Sequence, residues 1–596
     1  MAITITLNGS PAVERTAALG PGGTWDARAP RHLRKAYQSI DDGLGWVAWQ
    51  KHLAERSLKP CGKLAPRGQS PLLWELTAFL PDETIKLVEQ LSEVRAARHN
   101  LDEFALAWLE APPTGRTMAL AVECVAWSQA LPRLTSCLSE STWWRLLNSL
   151  ATDAATAAWH TADPLASLIS SGELPLTLAY LFPELTACHA LGQSARSAIT
   201  HAACELWDEQ GIPRSKHLGW LRPLLACWTR CRALGEGLRE GWCDRPVARM
   251  YPRVIEHALR LSRADGSMPL ADNNSAWQPE LVVAVARLAA DSTTRQVAKL
   301  ATAGRKSTRR VAGSPSPALE SEQAGLALLR PDWQSDAPRL LAAYDGDRLE
   351  SELSLGGHLA WSGAWQLDVR LNGRALMPRG HWEQVCWVTD DEVDYLELSL
   401  EFHEELVVER HLLMGRKDRF CLVADAVLGI GEAEIEYRTV LPLTSEVRFA
   451  PETESHEGTL VMRGKPRARV LPLQLPEWRA GSGSGVLRQT DQGLELRQQA
   501  IGQSLFAPLF FDLDPRRLRK QLTWRSLTVA QERQVLPADS AVGYRVQIGD
   551  AQWLVYRSLS TPDVRSVLGV NLMHEFLVAE FLPTGKIKRL LEIEPA

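Results

Sequence analysis

The sequence predicts an α+β chain in two parts, a helical, tryptophan-rich first half and an all-β second half joined near residues 301–323. Three observations predict it. From about residue 31 to 300, apolar residues recur at three- and four-residue spacing, the helical period. After residue 324 the period falls to two, the period of strands. Between them lies ATAGRKSTRRVAGSPSPALESEQ (301–323), rich in Gly, Ser and Pro and without apolar periodicity, which has the composition of a linker. Single cores stop growing at roughly 250–300 residues, so a chain of 596 is expected to divide. The expected boundaries are an N-terminal arm at 1–30, a helical domain at 31–300, the linker at 301–323 and a β domain at 324–596.

In the helical half, MALAVECVAWSQALPRL (118–134), ESTWWRLLNSLATDAATAAW (140–159), ARSAITHAACELWDEQG (195–211) and VARMYPRVIEHALRLSRADG (247–266) carry the helical spacing. Pro112-Pro113, Pro132, Pro175, Pro183, Gly211-Ile212-Pro213 and Asp265-Gly266 are expected to punctuate it. Short connections between such helices imply antiparallel neighbours, and a run of them can close into a ring of hairpins. In the β half, RLESELSL, AWQLDVRLNGRAL, VDYLELSLEF, LVVERHLLM, RFCLVADAV and AEIEYRTVLPL alternate or form short apolar runs rich in β-formers. Turn signals at Asp345-Gly346 and Asn372-Gly373 separate them, and Gly549-Asp550 predicts a hairpin near 543–556. So many strands imply a large antiparallel sandwich.

Composition narrows the function classes. The formal net charge of −5 argues against a nucleic-acid binder that relies on a basic surface. No stretch reaches the ~18 apolar residues of a membrane-spanning helix. The opening MAITITLNGSPAVERTAALGPGG lacks the basic and apolar regions of a secretory signal, so a soluble, cytoplasmic protein is the default expectation. The ten cysteines include no C-x-x-C pair. Cys227 and Cys231 share a helix face, but two thiols do not make a zinc site, and buried reduced cysteines are expected. Of 22 tryptophans, 14 precede residue 280; they can fill gaps between helices or stack on sugar rings. P-loop, Gly-x-Gly-x-x-Gly, His-Glu-x-x-His and Gly-x-Ser-x-Gly motifs are absent.

Local sequence adds a resemblance. AGLALLRPDWQSDAPRLLAAYDGD (324–347) followed by GGHLAWSGAWQLDVRLNGRALMPRG (356–380) resembles the opening of the heparinase II/III-like β domain. VVERHLLMGRKDRFCLVADAV (407–427) is similar to that domain's later hairpin, and RADGSMPLADNNSAW (263–277) to the family's "DG-x-lP" loop. The resemblance implies an N-terminal incomplete (α/α) toroid followed by a C-terminal antiparallel β-sandwich. It also implies a polysaccharide lyase acting on an acidic, uronate-containing glycan of the heparin/heparan kind.

Such an enzyme cleaves by β-elimination. A base takes the proton at C5, an acid protonates the leaving glycosidic oxygen, and a neutral or cationic donor neutralises the carboxylate that acidifies C5. The resemblance places His358 at the chemistry. The family strand often reads His-x-His-x-Asp; here it is His358-Leu359-Ala360-Trp361-Ser362, and an alanine methyl ligates nothing. No metal and no other cofactor is therefore expected at this strand. The family's tyrosine-bearing loop corresponds to WDEQGIPRSKHLGWLRPLLACW (207–228), which contains no tyrosine. His217 is the candidate base there, with Arg214, Arg222 and Trp220 as substrate-binding candidates. Asn273 and Asn274 could neutralise a carboxylate or simply serve the turn. Tyr251 lies on a predicted helix and is expected to pack. The departures keep a second reading open, a catalytically degenerate relative that binds a glycan or serves in assembly. A third, a glycoside hydrolase, would need a carboxylate pair; Glu404-Glu405 and Asp390-Asp391-Glu392 are expected in solvated hairpin loops instead.

Overall fold

A computed structural model of the chain describes residues 25–596 except 39–42, 57–63, 65–69, 94–99, 112–114, 116, 157–162, 272–275, 290, 303–314, 347, 430, 480–484, 562, 583–585 and 596. Most of the expected arm, Pro112-Pro113, Trp159, Asn273 and Asn274 lie outside the described residues. The chain forms two compact units. The first comprises Met1–Gly211, Trp220–Ile255 and Trp277–Thr294; the second comprises Ile212–Gly219, Glu256–Ala276 and Arg295–Ala596. Two short segments of the helical half thus belong to the β unit, which the single boundary drawn from periodicity does not anticipate.

The helical unit follows the apolar spacing closely. Met118–Leu134 is a helix as expected, with Thr117 accepting from the Leu120 N–H at its start. Glu140–Ala155 is capped likewise by Ser139. Thr186–Leu206 begins nine residues before the periodic segment quoted for it. Pro175 does not break the chain as expected. Helix Pro164–Leu168 passes through a π turn at Ile169–Glu173 into Leu174–Leu181, and Pro175 falls near the start of that last element. A proline is tolerated there because its missing N–H is not needed, and the widened turn relieves the ring. Most of the described tryptophans are core. Trp49, Trp143 and Trp144 cluster with Phe182, and Trp207 packs tilted against Trp228 with ring centroids 4.1 Å apart, all of them buried. Tyr251 is buried too and donates to Thr229 Oγ1 at 3.0 Å. The thiols of Cys227 and Cys231 are free and buried, and burial pushes the Cys227 thiol well up. No helix among the described residues is long and apolar enough to cross a membrane.

The β unit is antiparallel throughout its described pairings. A five-stranded meander runs Leu319–Ser321, Leu326–Leu329, Arg339–Ala343, Glu350–Leu355, His358–Ala364. Its first strand lies inside the stretch expected to be linker. An eight-stranded sheet is ordered Val447–Pro451, Gly458–Met462, Lys465–Pro472, Leu505–Asp512, Phe420–Leu428, Val407–Gly415, Val393–Glu401, Glu383–Thr389. A further five-stranded sheet includes Gly493–Gly502, Ala433–Leu441 and Gln366–Leu371, and another includes Ala541–Ile548, Ala551–Ser558 and Phe576–Phe581. The expected turns are present. Leu371 pairs with Arg374 across Asn372-Gly373, both with positive φ, and Ile548 pairs with Ala551 across Gly549-Asp550.

The eight-stranded sheet is covered on both faces. Leu396, Leu412, Val423 and Phe511 join one core with Leu353, Trp361 and Tyr437. Tyr395, Leu413, Leu422 and Phe510 join another with Tyr544, Val555 and Phe576. A strand buried on both faces needs apolar residues at odd and even positions alike. That is why RFCLVADAV reads as a continuous run rather than an alternation.

Candidate functional site

His358 opens the last strand of the meander. The Gly356-Gly357 turn, at φ +58° and +78°, places it opposite Leu355. Two consecutive positive φ values favour glycine, and they match the right-handed twist of the hairpin. The imidazole is half-buried and lines a cavity of about 420 Å³ within the β unit. The other walls come from the 263–265 loop, Arg339, and the 444–446 turn with Arg463.

Most charges in the wall are already engaged. Arg263 grips Glu352 through Nε–Oε1 at 2.9 Å and Nη2–Oε2 at 2.6 Å, and its Nη1 donates to Ser267 at 3.0 Å. The same Glu352 accepts from the Leu270 N–H at 3.0 Å and from the Ser362 hydroxyl at 3.2 Å. Asp265 accepts from the N–H and the hydroxyl of Ser267, which shapes the loop. Arg463 holds Glu446 with two bonds of 2.7 and 3.1 Å, and this contact, with a smaller contribution from nearby His358, keeps the Glu446 carboxyl below its ordinary range.

Arg339 is different. Its Nη2 donates to the Leu261 carbonyl at 2.5 Å, while Nε and Nη1 are buried and have no hydrogen-bond partner. The residue is 5% exposed. Burial pushes its pKa down to about 10, opposed by Glu352 and reinforced by Arg263. It remains a cation at neutral pH, with two donors unspent in a wall that also carries His358. Sequence reasoning passed over it, because in Arg-Leu-Leu-Ala-Ala it looks like an edge residue of a strand.

The other described sequence candidates are not among the residues lining this cavity. His217 is half-buried on the short 3-10 helix Ser215–Trp220, its backbone N–H bonded to the Arg214 carbonyl, and it is not among the residues lining the cavity. Arg214 donates to the Gln323 carbonyl at 2.8 Å, and Ser215 is tied to Ala324 and Asp345. Those contacts dock the 212–219 segment within the β unit. Trp220 and Arg222 belong to the helical unit. Trp220 stacks on Phe79 at 5.0 Å. Arg222, 5% exposed, pairs with Glu75 at 3.3 Å, and Glu75 also accepts from the Gln278 N–H at 2.8 Å. Glu75 adopts φ +56°, an uncommon conformation for a non-glycine, and nothing in the sequence announces it. The structure therefore brings His217 and Arg214 together, and Arg222 with Glu75, while His358 shares its cavity with Arg339. Neither acidic run forms a facing pair. Glu404 bridges Arg374 in an exposed turn, and Glu392 binds Lys417 and Lys588.

No family model matches the sequence, and no curated protein is similar to it by sequence. Solved structures do match the fold. The heparan sulfate lyase HepC from Pedobacter heparinus superimposes with TM-score 0.58 at 11% identity, over 90% of this chain and 98% of that one. A structure described as heparinase III superimposes with TM-score 0.58 at 9% identity, over 89% of this chain and 98% of that one. The chain thus has the fold of the heparinase III lyases, the toroid followed by a sandwich that its local motifs imply. At such identity the match fixes architecture and leaves chemistry to the residues.

Proposed function

We propose that the chain is a polysaccharide lyase that cleaves an acidic, uronate-containing glycan by β-elimination at the His358 cavity. The observation that carries this reading is Arg339, a buried cation with two unpartnered donors in the wall shared with a half-buried histidine. The fold shared with heparan sulfate lyases supports it.

The chemistry has two requirements that this pair meets. The C5 proton of a uronate is weakly acidic while the adjacent carboxylate is anionic. A guanidinium cation beside that carboxylate stabilises the charge that builds on it, the more so in a site of low dielectric. His358 serves as the proton-transfer group. The C5–H electrons form the C4–C5 double bond, the C4–O bond breaks, and the departing oxygen takes a proton from an acid in the cavity. Asp265 and Glu446 are the other titratable groups in the wall, alongside the three arginines. His217, which does not line the cavity, is assigned no step.

The test is a scan of uronate polysaccharides for the ultraviolet absorbance of the 4,5-unsaturated product. Absorbance on at least one of them, lost in His358→Ala and kept in His217→Ala, supports the reading. Arg339→Gln is expected to lower kcat/KM by roughly 10²–10³-fold, the cost of removing one preorganised donor to developing charge. Binding without product on every uronate tested removes the lyase assignment. A specific observation favours the second reading, a glycan-binding relative without catalysis: no tyrosine is among the described residues lining the cavity. In that case Arg339→Gln weakens binding and no variant alters turnover.

A further inference from the structure

A second histidine of the β unit sits in a very different place. His411 lies on Val407–Gly415, directly opposite Glu397 on Val393–Glu401, and Glu409 is two residues away on the same face. Alternation puts all three on one side of the eight-stranded sheet, the side that packs with Phe506, Tyr544 and Phe576. This is not the strand that carries His358. His411 is fully buried and Glu397 is 3% exposed. A ring nitrogen of His411 and one carboxylate oxygen each from Glu397 and Glu409 lie within 4.8 Å of one another.

Three further observations show that the protein groups do not close this cluster on their own. First, Tyr395 Oη donates to Glu397 Oε2 at 2.7 Å and meets His411 Nδ1 at 2.8 Å. The hydroxyl has one proton, so Nδ1 is the donor in that second contact. His411 Nε2 is then a bare lone pair, buried and without a partner. Second, the only guanidinium bonded to the cluster among the described residues is Arg557, which engages Glu409 and, at 2.9 Å, Glu575. Three carboxylates stand against one cation, leaving two negative charges that burial makes unfavourable. Third, the side chains of Glu409 and Glu575 are 19% and 25% exposed, so the cluster has a route to solvent.

We propose that Glu397, Glu409 and His411 form a site for one divalent cation of the zinc class, with Tyr395 positioning two of the ligands. One nitrogen and two carboxylate oxygens suit an ion that accepts mixed N and O donors, and its double charge matches the surplus. Around tetrahedral zinc, ligand atoms sit roughly 3.3–3.5 Å apart, so modest inward side-chain rotation would seat the ion. Tyr395 links a ligating carboxylate to a ligating imidazole, the arrangement by which outer groups fix ligand orientation. The site lies in the interior of the sandwich and its role is structural.

The experiment uses the full-length chain, stripped with a chelator and dialysed against Zn²⁺, with Mn²⁺ and Ca²⁺ in separate arms. Bound metal per chain and melting temperature are read together. The expected result is about one Zn²⁺ per chain with a rise in melting temperature. Glu397→Gln and Glu409→Gln keep side-chain size and are expected to abolish both. Tyr395→Phe is expected to weaken Zn²⁺ binding by roughly 10–100-fold while the fold persists. His574→Ala is a control, because His574, Glu592 and Glu594 form the other such group among the described residues. Failure of the stripped wild type to take up Zn²⁺ overturns the proposal. So does uptake that survives both glutamine variants, or uptake that His574→Ala removes.

Discussion

The strand Val407–Gly415 sends consecutive residues to opposite faces of one sheet, and the two faces solve the same problem differently. On one face Arg410, with no exposed surface, meets Asp425 through two bonds of 2.7 Å. The Tyr437 hydroxyl caps the same carboxylate at 2.7 Å, and the rings of Trp365 and Trp382 cover the guanidinium at 3.9 and 4.6 Å. One cation faces one anion, and aromatic faces screen the remainder. On the other face Glu409 and His411 join Glu397 and Glu575 around the single Arg557. Unequal charge separates a finished structural pair from a cluster, less deeply buried at Glu409 and Glu575, that calls for an added cation or proton. In the His358 cavity the feature left open is instead hydrogen bonding, since buried Arg339 keeps two N–H donors without a partner.

The largest effect should come from breaking the balanced face. Asp425→Asn or Arg410→Met leaves its partner as an uncompensated charge in the core, and a loss of about 3–5 kcal/mol is expected. Urea unfolding followed by tryptophan fluorescence suits the test, because Trp365 and Trp382 flank the pair. A loss below about 1 kcal/mol would erase the contrast between the two faces.

The unbalanced face should behave otherwise. In chelator-stripped protein, Glu409→Gln removes one of three carboxylates and leaves Arg557 its contact with Glu575. Its urea midpoint should move by no more than the equivalent of about 1 kcal/mol, because replacing a surplus charge by a neutral amide relieves repulsion. A loss as large as that of Asp425→Asn would show that the charge count misdescribes the cluster.

The sequence reveals the two faces unequally. Helical and strand periods locate the elements, since amphipathic burial imposes them directly, and the turns at Asn372-Gly373 and Gly549-Asp550 follow from backbone conformation alone. The exceptions have physical causes. Pro175 is absorbed by a π turn whose need is set by packing. The strand Leu319–Ser321 forms in apparent linker because a meander offers it an edge. Of the site, His358 is legible through its resemblance to a family strand, whereas Arg339 is not, because one arginine in a short strand gives no sign of being buried. Glu409-Arg410-His411 did leave a signal. Three polar residues in succession, flanked by apolar runs in a strand with no free face, must lie largely out of water, and they must therefore be partnered on both sides.

The smallest effect tests whether imbalance matters only where water is excluded. Glu495 on Gly493–Gly502 is held by Arg438 at 2.6 Å, Arg488 at 2.8 Å and Arg497 at 2.9 Å, and Arg438 also reaches Asp368 at 2.7 Å, so three cations meet two carboxylates. The arginine side chains are 23%, 49% and 50% exposed, so solvent carries the excess positive charge. These contacts overcome burial and lower the Glu495 carboxyl to about 2. A carboxyl depressed in the folded state stabilises the protein above its unfolded pKa of about 4.3 and ceases to do so as pH falls through the folded value. The stability gap between wild type and Glu495→Gln should therefore be constant above about pH 5 and close progressively toward pH 2. Denaturant midpoints of the two proteins across that range provide the check. A gap that instead stays open at pH 2 would mean that the three arginines hold the side chain by shape and hydrogen bonding, with charge contributing little.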